Sequence, residues 1–105
     1  AALVGLGADP EPFEMAELRR LVLPVLRADL RLAETWPLPA RPPLDVPVLV
    51  LAGTRDPDAP PADAAAWAAE TTARCDVVAL EGDHFFPEHR APEIAALLRA
   101  ARAEL

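Results

Sequence analysis

The fold of this chain is inferred from one stretch, Val48-Leu49-Val50-Leu51-Ala52-Gly53-Thr54-Arg55-Asp56-Pro57. Its first half is a continuous apolar run with β-branched residues, which is typical of a strand buried on both faces and therefore of a central parallel strand. Its second half is a glycine-containing loop that carries an acid, Asp56. Ligands and catalytic groups in open α/β sheets collect at the carboxyl ends of strands. The stretch therefore predicts a strand that presents Asp56 at the functional edge of a sheet.

A second stretch of the same design follows downstream. The apolar run Val77-Val78-Ala79-Leu80 predicts another strand, and Gly82-Asp83-His84-Phe85-Phe86 predicts its loop, with Gly82 allowing a tight turn. The alanine-rich segment from about residue 62 to residue 72 predicts the helix between the two strands. A strand–helix–strand unit of this kind places its strands in parallel. We therefore expect Asp56 and His84 to lie side by side.

An acid beside a histidine supplies two of the three groups of a catalytic triad. The carboxylate fixes the tautomer of the imidazole, and the second ring nitrogen is then free to deprotonate a nucleophile. Acid before histidine, on successive strand ends, is the order found in α/β-hydrolases, whose serine lies earlier on a Gly-x-Ser-x-Gly elbow. Asp58 is the rival of Asp56, but the position directly before Pro57 favours Asp56. Asp58 is interpreted as an exposed turn residue or a helix cap.

The remaining segments are predicted to be mostly helical. Residues 1–9 are interpreted as a helix end or loop, and residues 13–36 follow a 3.6-residue apolar period. Pro24 interrupts that period, so two helices or one kinked helix are expected. Five prolines make residues 37–47 a stiff connector without regular structure. A last amphipathic helix is expected from about Ala91.

Composition excludes several classes of protein. The chain has 105 residues and a net charge of −7, which argues against nucleic-acid binding because that requires a basic surface. No apolar run reaches the length of a membrane span, and the first residues lack the pattern of a signal peptide, so we expect none. The single Cys75 rules out an internal disulfide, is interpreted as a small buried hydrophobe, and fits a reducing compartment, so we predict a cytoplasmic protein. His84, His89 and nearby acids lack the spacing and third ligand of a metal site.

Three stretches together resemble one family, the type II thioesterases of polyketide and nonribosomal peptide pathways. They are residues 23–29 with 34–36, which resemble its lid, then residues 47–57, and finally residues 82–86. Members are α/β-hydrolases of antibiotic biosynthesis that remove stalled acyl groups from the phosphopantetheine arm of acyl or peptidyl carrier proteins. The resemblance implies that Asp56 is the triad acid and His84 the triad base, that no cofactor is needed, and that the partner is a carrier protein.

Two departures from the family pattern stand out. The residue before the histidine, usually a second glycine, is Asp83 here. The sequence contains no serine at all, and no lysine that could act as a Schiff-base amine. We therefore expect this chain to be the C-terminal segment of a larger enzyme and to be inactive alone.

The sequence thus predicts the C-terminal part of an α/β-hydrolase fold. Residues 1–46 are assigned to a helical lid segment and proline-rich connector, and residues 47–105 to the βαβα part of the core. Two alternatives remain open: another α/β-hydrolase, such as an esterase or acyltransferase, and an inactive remnant or partner-binding module. Four arginines of the predicted lid form either a solvated helix face or a contact with an acidic carrier protein or its phosphate: Arg19, Arg20, Arg27 and Arg31.

Overall fold

The computed structural model describes residues 6–105. Residues 1–5, which belong to the predicted helix end or loop of residues 1–9, lie outside the described residues. The chain divides into two units. One consists of residues 8–41, and the other contains residues 42–105 together with the short segment ending at Gly7.

The unit of residues 8–41 is helical. Helix α1 spans Glu11–Glu14 and helix α2 spans Ala16–Thr35. Met15 separates them in an extended conformation, with φ −89° and ψ 116°. The helical segment is therefore divided at Met15, whereas Pro24 lies inside α2. Proline removes one backbone donor but its fixed φ is compatible with a helix, so the neighbouring turns carry α2 past this position.

Helix α2 presents an apolar stripe that the described chain does not cover. Leu21 is 71% exposed, and Val25 and Leu32 are each 59% exposed. The four arginines of the predicted lid are exposed as well, and no ion pair between described residues involves them. An amphipathic helix is stable only when its apolar side packs on another surface.

The unit of residues 42–105 is built on two parallel strands, as predicted. Strand β1 spans Val48–Gly53 and strand β2 spans Cys75–Leu80, and their register runs from Val48 opposite Cys75 to Gly53 opposite Leu80. Strand β2 begins two residues before the predicted start, which makes the half-buried Cys75 its first residue. The two carboxyl ends are therefore level with one another.

The connection between the strands differs from the predicted helix. Helix α3 spans only Pro61–Ala64 and continues as a 3₁₀ helix over Ala65–Glu70. The chain is extended at Thr71, which is buried, pairs with Leu44 and donates its hydroxyl hydrogen to the carbonyl of Val46. These bonds to the proline-rich segment compete with helical ones, so the helix ends before residue 72.

Two helices complete this unit. Helix α4 spans Phe86–His89 and helix α5 spans Ala91–Ala103. Arg74 donates hydrogen bonds to Asp76, at 2.6 Å, and to Glu104, which ties the end of α5 to the start of β2. No helix among residues 6–105 is long and apolar enough to cross a membrane.

The best-buried part of this unit lies at the carboxyl ends of the strands. The buried apolar residues are Ala52, Ala64, Leu80 and Phe86. Burial of both faces, predicted for the first strand, is incomplete within the described residues: Val48–Leu51 are only half-buried, and Val77 of β2 is 40% exposed. Two strands and their helices do not supply enough surface to cover two faces of a sheet.

Candidate active site

The loop that carries Asp56 is hydrogen-bonded to the loop that follows β2. The Thr54 N–H donates to the Leu80 carbonyl at 2.9 Å, and the Arg55 N–H donates to the Gly82 carbonyl at 2.8 Å. Both bonds continue the pairing of the strands beyond their ends. Asp56 then turns back, with its N–H donating to the Gly53 carbonyl at 3.2 Å. The parallel register thus fixes where the side chain of Asp56 begins.

The turn that carries His84 is packed too closely for side chains at two positions. Gly82 has φ +148°, and a Cβ there would lie 2.7 Å from the Cβ of Phe86. A Cβ on Gly53, across the sheet, would lie 2.5 Å from the carbonyl oxygen of Asp83. Glycine is required at both positions, at Gly82 for its conformation and at Gly53 for the close approach.

The side chains of Asp56 and His84 meet, as expected from the topology. His84 Nδ1 lies 2.9 Å from Asp56 Oδ2. The other carboxylate oxygen, Oδ1, accepts the backbone N–H groups of Asp58 at 2.9 Å and Ala59 at 3.2 Å. The side chain of Asp56 is 4% exposed, whereas that of His84 is 37% exposed. The acid is therefore enclosed and fully hydrogen-bonded, and the imidazole reaches the surface.

The surroundings of Asp56 keep it ionised. Burial by itself raises the pKa of this carboxyl, but the hydrogen bond from His84, the two backbone N–H donors and the charge of His84 outweigh burial, so the pKa lies below its ordinary value. An ionised carboxylate has no proton to donate, so Nδ1 of His84 must donate to Oδ2. When the imidazole is neutral, this arrangement leaves a free lone pair on Nε2, as a general base requires.

The two phenylalanines after His84 occupy different environments. Phe86 is buried. Phe85 is half-buried and its ring meets the imidazole of His84 edge-on, with ring centroids 5.4 Å apart and an interplanar angle of 82°. Such a contact limits rotation of the imidazole about its side-chain bonds.

The other candidates from the sequence do not join this pair. Asp58 is exposed and approaches Asp56 only through its backbone N–H, and His89 is exposed on α4. No group of three or more potential metal ligands comes together among residues 6–105. A cavity of about 800 Å³ lies near Val48 and Leu105, at the opposite end of the strands from His84.

Glu81, which belongs to no motif in the sequence, joins the two loops through its side chain. The signal that identifies it is the strand register. Because Gly53 lies opposite Leu80, the residues after Gly53 must face those after Leu80. Thr54 and Arg55 therefore come next to Glu81.

Comparison with known proteins gives a consistent result. A family profile described as "Thioesterase domain" matches residues 1–101. Thioesterase PikA5 of Streptomyces venezuelae is 41% identical over 80 residues, which cover 76% of this chain and 28% of PikA5.

Two solved structures are similar as well. The thioesterase RedJ, from the prodiginine biosynthetic pathway of Streptomyces coelicolor, aligns with a TM-score of 0.79 and 36% identity over 91% of this chain and 39% of RedJ. The type II thioesterase BorB, from the borrelidin biosynthetic cluster, aligns with a TM-score of 0.72 and 32% identity over 81% of this chain and 35% of BorB. The chain thus spans between about a quarter and two fifths of the length of these relatives.

These similarities confirm the resemblance inferred from the sequence, and the relatives have the fold that it implied. The chain belongs to the thioesterase domain family and forms part of an α/β-hydrolase fold.

Proposed function

We propose that this chain supplies the acid and the base of a serine-type hydrolase that releases acyl groups from the phosphopantetheine arm of carrier proteins. The observation that carries the proposal is the 2.9 Å hydrogen bond between His84 Nδ1 and the buried Asp56 at the ends of two adjacent parallel strands. Membership of the thioesterase family supports the reaction type. Asp56 is the acid and His84 the base.

The reaction follows from the protonation state of this pair. A serine located outside this chain attacks the thioester carbonyl while Nε2 of His84 takes its proton. The imidazolium, stabilised by Asp56, then protonates the sulfur as the carbon–sulfur bond breaks and the thiol of the arm leaves. Water attacks the acyl-serine with His84 again as base, and the products are a free acid and the regenerated serine. Backbone N–H groups elsewhere in the protein stabilise the tetrahedral oxyanion.

The carrier protein is the proposed partner. Residues 1–46 are the proposed lid segment and connector, and residues 47–105 are the proposed C-terminal part of the core. The relatives RedJ and BorB belong to the prodiginine pathway and to the borrelidin cluster, which supports a role in polyketide or nonribosomal peptide biosynthesis. The lone Cys75 supports a cytoplasmic location.

Hydrolysis of an acylated carrier protein by the full-length protein tests this proposal. We expect His84→Ala to abolish turnover of the acyl carrier. His89→Ala is the matched control, because His89 is exposed and lies five residues away, and it should retain normal turnover. Retained hydrolysis in His84→Ala would show that another group is the base.

Two alternative functions have their own tests. An esterase or acyltransferase of the same fold would hydrolyse or transfer a free ester as well as the carrier-bound acyl group, so a comparison of the two substrates separates it from a carrier-dependent thioesterase. A partner-binding module is favoured by the absence of serine from this sequence. We expect residues 1–105 alone to give no hydrolysis above background. A burst of product from a chromogenic ester that disappears in His84→Ala would contradict that expectation.

A further inference from the structure

The side chain of Glu81 is hydrogen-bonded to Thr54 and Arg55, the two residues directly before Asp56. Its carboxylate accepts the hydroxyl hydrogen of Thr54, with Oγ1 and Oε2 3.3 Å apart, and it forms an ion pair with the guanidinium of Arg55. The Thr54 hydroxyl in turn accepts the Gly82 N–H at 3.3 Å. Side chains and backbone together therefore join the first residue after β2 to the loop that leads to Asp56.

The backbone of Glu81 is held at the other side of the His84 turn. Its carbonyl oxygen accepts Nε–H of Arg90 at 2.9 Å, across nine residues of chain. Arg90 lies between α4 and α5 and also pairs with Glu93 at 3.3 Å. The segment from Glu81 to Arg90, which contains His84, is thus closed at its two ends. Glu81 is the residue common to that closure and to the bonds with Thr54 and Arg55.

We propose that Glu81 is a positioning residue that sets the distance between Asp56 and His84. It touches neither side chain; it fixes the Asp56 loop through Thr54 and Arg55, and its carbonyl fixes the His84 segment through Arg90. The inference rests on the proposed function, because it assigns a consequence for catalysis to the geometry of that pair.

The physical argument is one of geometry rather than stability. The Arg55 and Glu81 side chains are 63% and 59% exposed, and an exposed ion pair adds little to folding. A misplacement of about 1 Å between reacting groups, however, lowers the rate by about 100-fold. Loss of the Glu81 carboxylate should therefore lower kcat clearly and change the melting temperature little.

The experiment uses three variants of the full-length protein and an acylated carrier as substrate. We expect Glu81→Ala to reduce kcat by roughly 10-fold, a fraction of the full misplacement effect, with KM nearly unchanged. Glu81→Gln keeps an acceptor for Thr54 and should recover part of the loss. Glu104→Ala is the matched control, because Glu104 is also an exposed glutamate paired with an arginine, Arg74, and it makes no bond to the Asp56 loop or to the His84 segment. It should retain the kcat of the parent protein.

A second readout reports the geometry directly. The proton of His84 Nδ1, hydrogen-bonded to Asp56, should give a downfield NMR resonance in the resting protein. We expect this resonance to move or broaden in Glu81→Ala and to remain in Glu104→Ala. Thr54→Val, which removes one of the same bonds, should change it in the same direction if Glu81→Ala does not fold.

The possible outcomes separate the two proposals. A resonance and a kcat that stay at parental values in Glu81→Ala and Thr54→Val would overturn the positioning role, and so would an equal loss in Glu104→Ala. The NMR measurement needs no turnover. If the parent protein does not hydrolyse thioesters, the proposed function fails while the effect of Glu81 on the Asp56–His84 bond is still measured.

Discussion

Replacement of Asp56 by asparagine removes the charge of the side chain and keeps its shape. In Asp56→Asn the side-chain oxygen can still accept the N–H groups of Asp58 and Ala59, which now bond to Oδ1. The amide nitrogen then faces Nδ1 of His84, where Oδ2 lies at 2.9 Å. Two donors cannot share one hydrogen bond, so the imidazole must carry its proton on Nε2 instead. A protonated Nε2 cannot accept the proton of a serine.

The expected magnitude is large for catalysis and small for folding. An imidazole held in the wrong tautomer lowers kcat by about 10⁴-fold in triad enzymes, or about 5 kcal/mol of transition-state stabilisation. The folded protein loses one charge-assisted hydrogen bond, so the free energy of unfolding of the unit that contains Asp56 should fall by about 2 kcal/mol.

The assay is hydrolysis of an acylated carrier by the full-length protein, with unfolding followed in parallel. Asp58→Asn is the control, because it makes the same substitution two residues away, at an exposed side chain. We expect its kcat to match that of the parent protein. If Asp56→Asn keeps a kcat within a few fold of the parent, or if Asp58→Asn loses as much, the assignment of Asp56 as the triad acid is wrong.

Three further outcomes are expected. Because the pKa of Asp56 is lowered in the folded protein, the ionised carboxylate stabilises the fold at pH values above the ordinary pKa of aspartate. This contribution is lost as the pH falls through the lowered pKa. The free energy of unfolding, measured against pH, should therefore fall more in acid for the parent protein than for Asp56→Asn. Gly53→Ala should lower the free energy of unfolding by about 1–3 kcal/mol in a thermal melt, because the new Cβ would lie 2.5 Å from the Asp83 carbonyl oxygen; unchanged melting would contradict the close packing. The double variant Arg27→Ala/Arg31→Ala should change the free energy of unfolding by no more than about 0.5 kcal/mol, since both side chains are exposed. It should turn over free and carrier-bound thioesters as fast as the parent protein does. A loss confined to the carrier-bound substrate would assign these arginines to the carrier contact.

The prediction of the strands succeeded where the sequence signal is local. The apolar run at Val48 and its partner near Val77 identify two strands, because short runs rich in β-branched residues favour a strand over a buried helix. Strand order and parallel pairing follow from the single connection between them. The loops with Asp56 and His84 come from those strands, so their proximity was predictable as well.

The errors arose where non-local contacts compete with local propensity. Alanine-rich sequence predicted a helix to residue 72, but bonds from Thr71 to the segment of Leu44 and Val46 end it earlier. The division of the first helical segment at Met15 had no signal comparable to the proline at position 24. Glu81 looks like an ordinary surface glutamate until the register is known.

The sequence by itself determined the fold class, the two strands, and the residue types that meet at their ends. These depend on side-chain periodicity and on the short range of a βα connection. Only the tertiary structure decided that Asp56 is enclosed and bonded to two backbone donors, and that Glu81 joins both loops. Enclosure and loop-to-loop bonding depend on distances across the strand register, to within about an ångström, and no pattern along the chain specifies distances that finely.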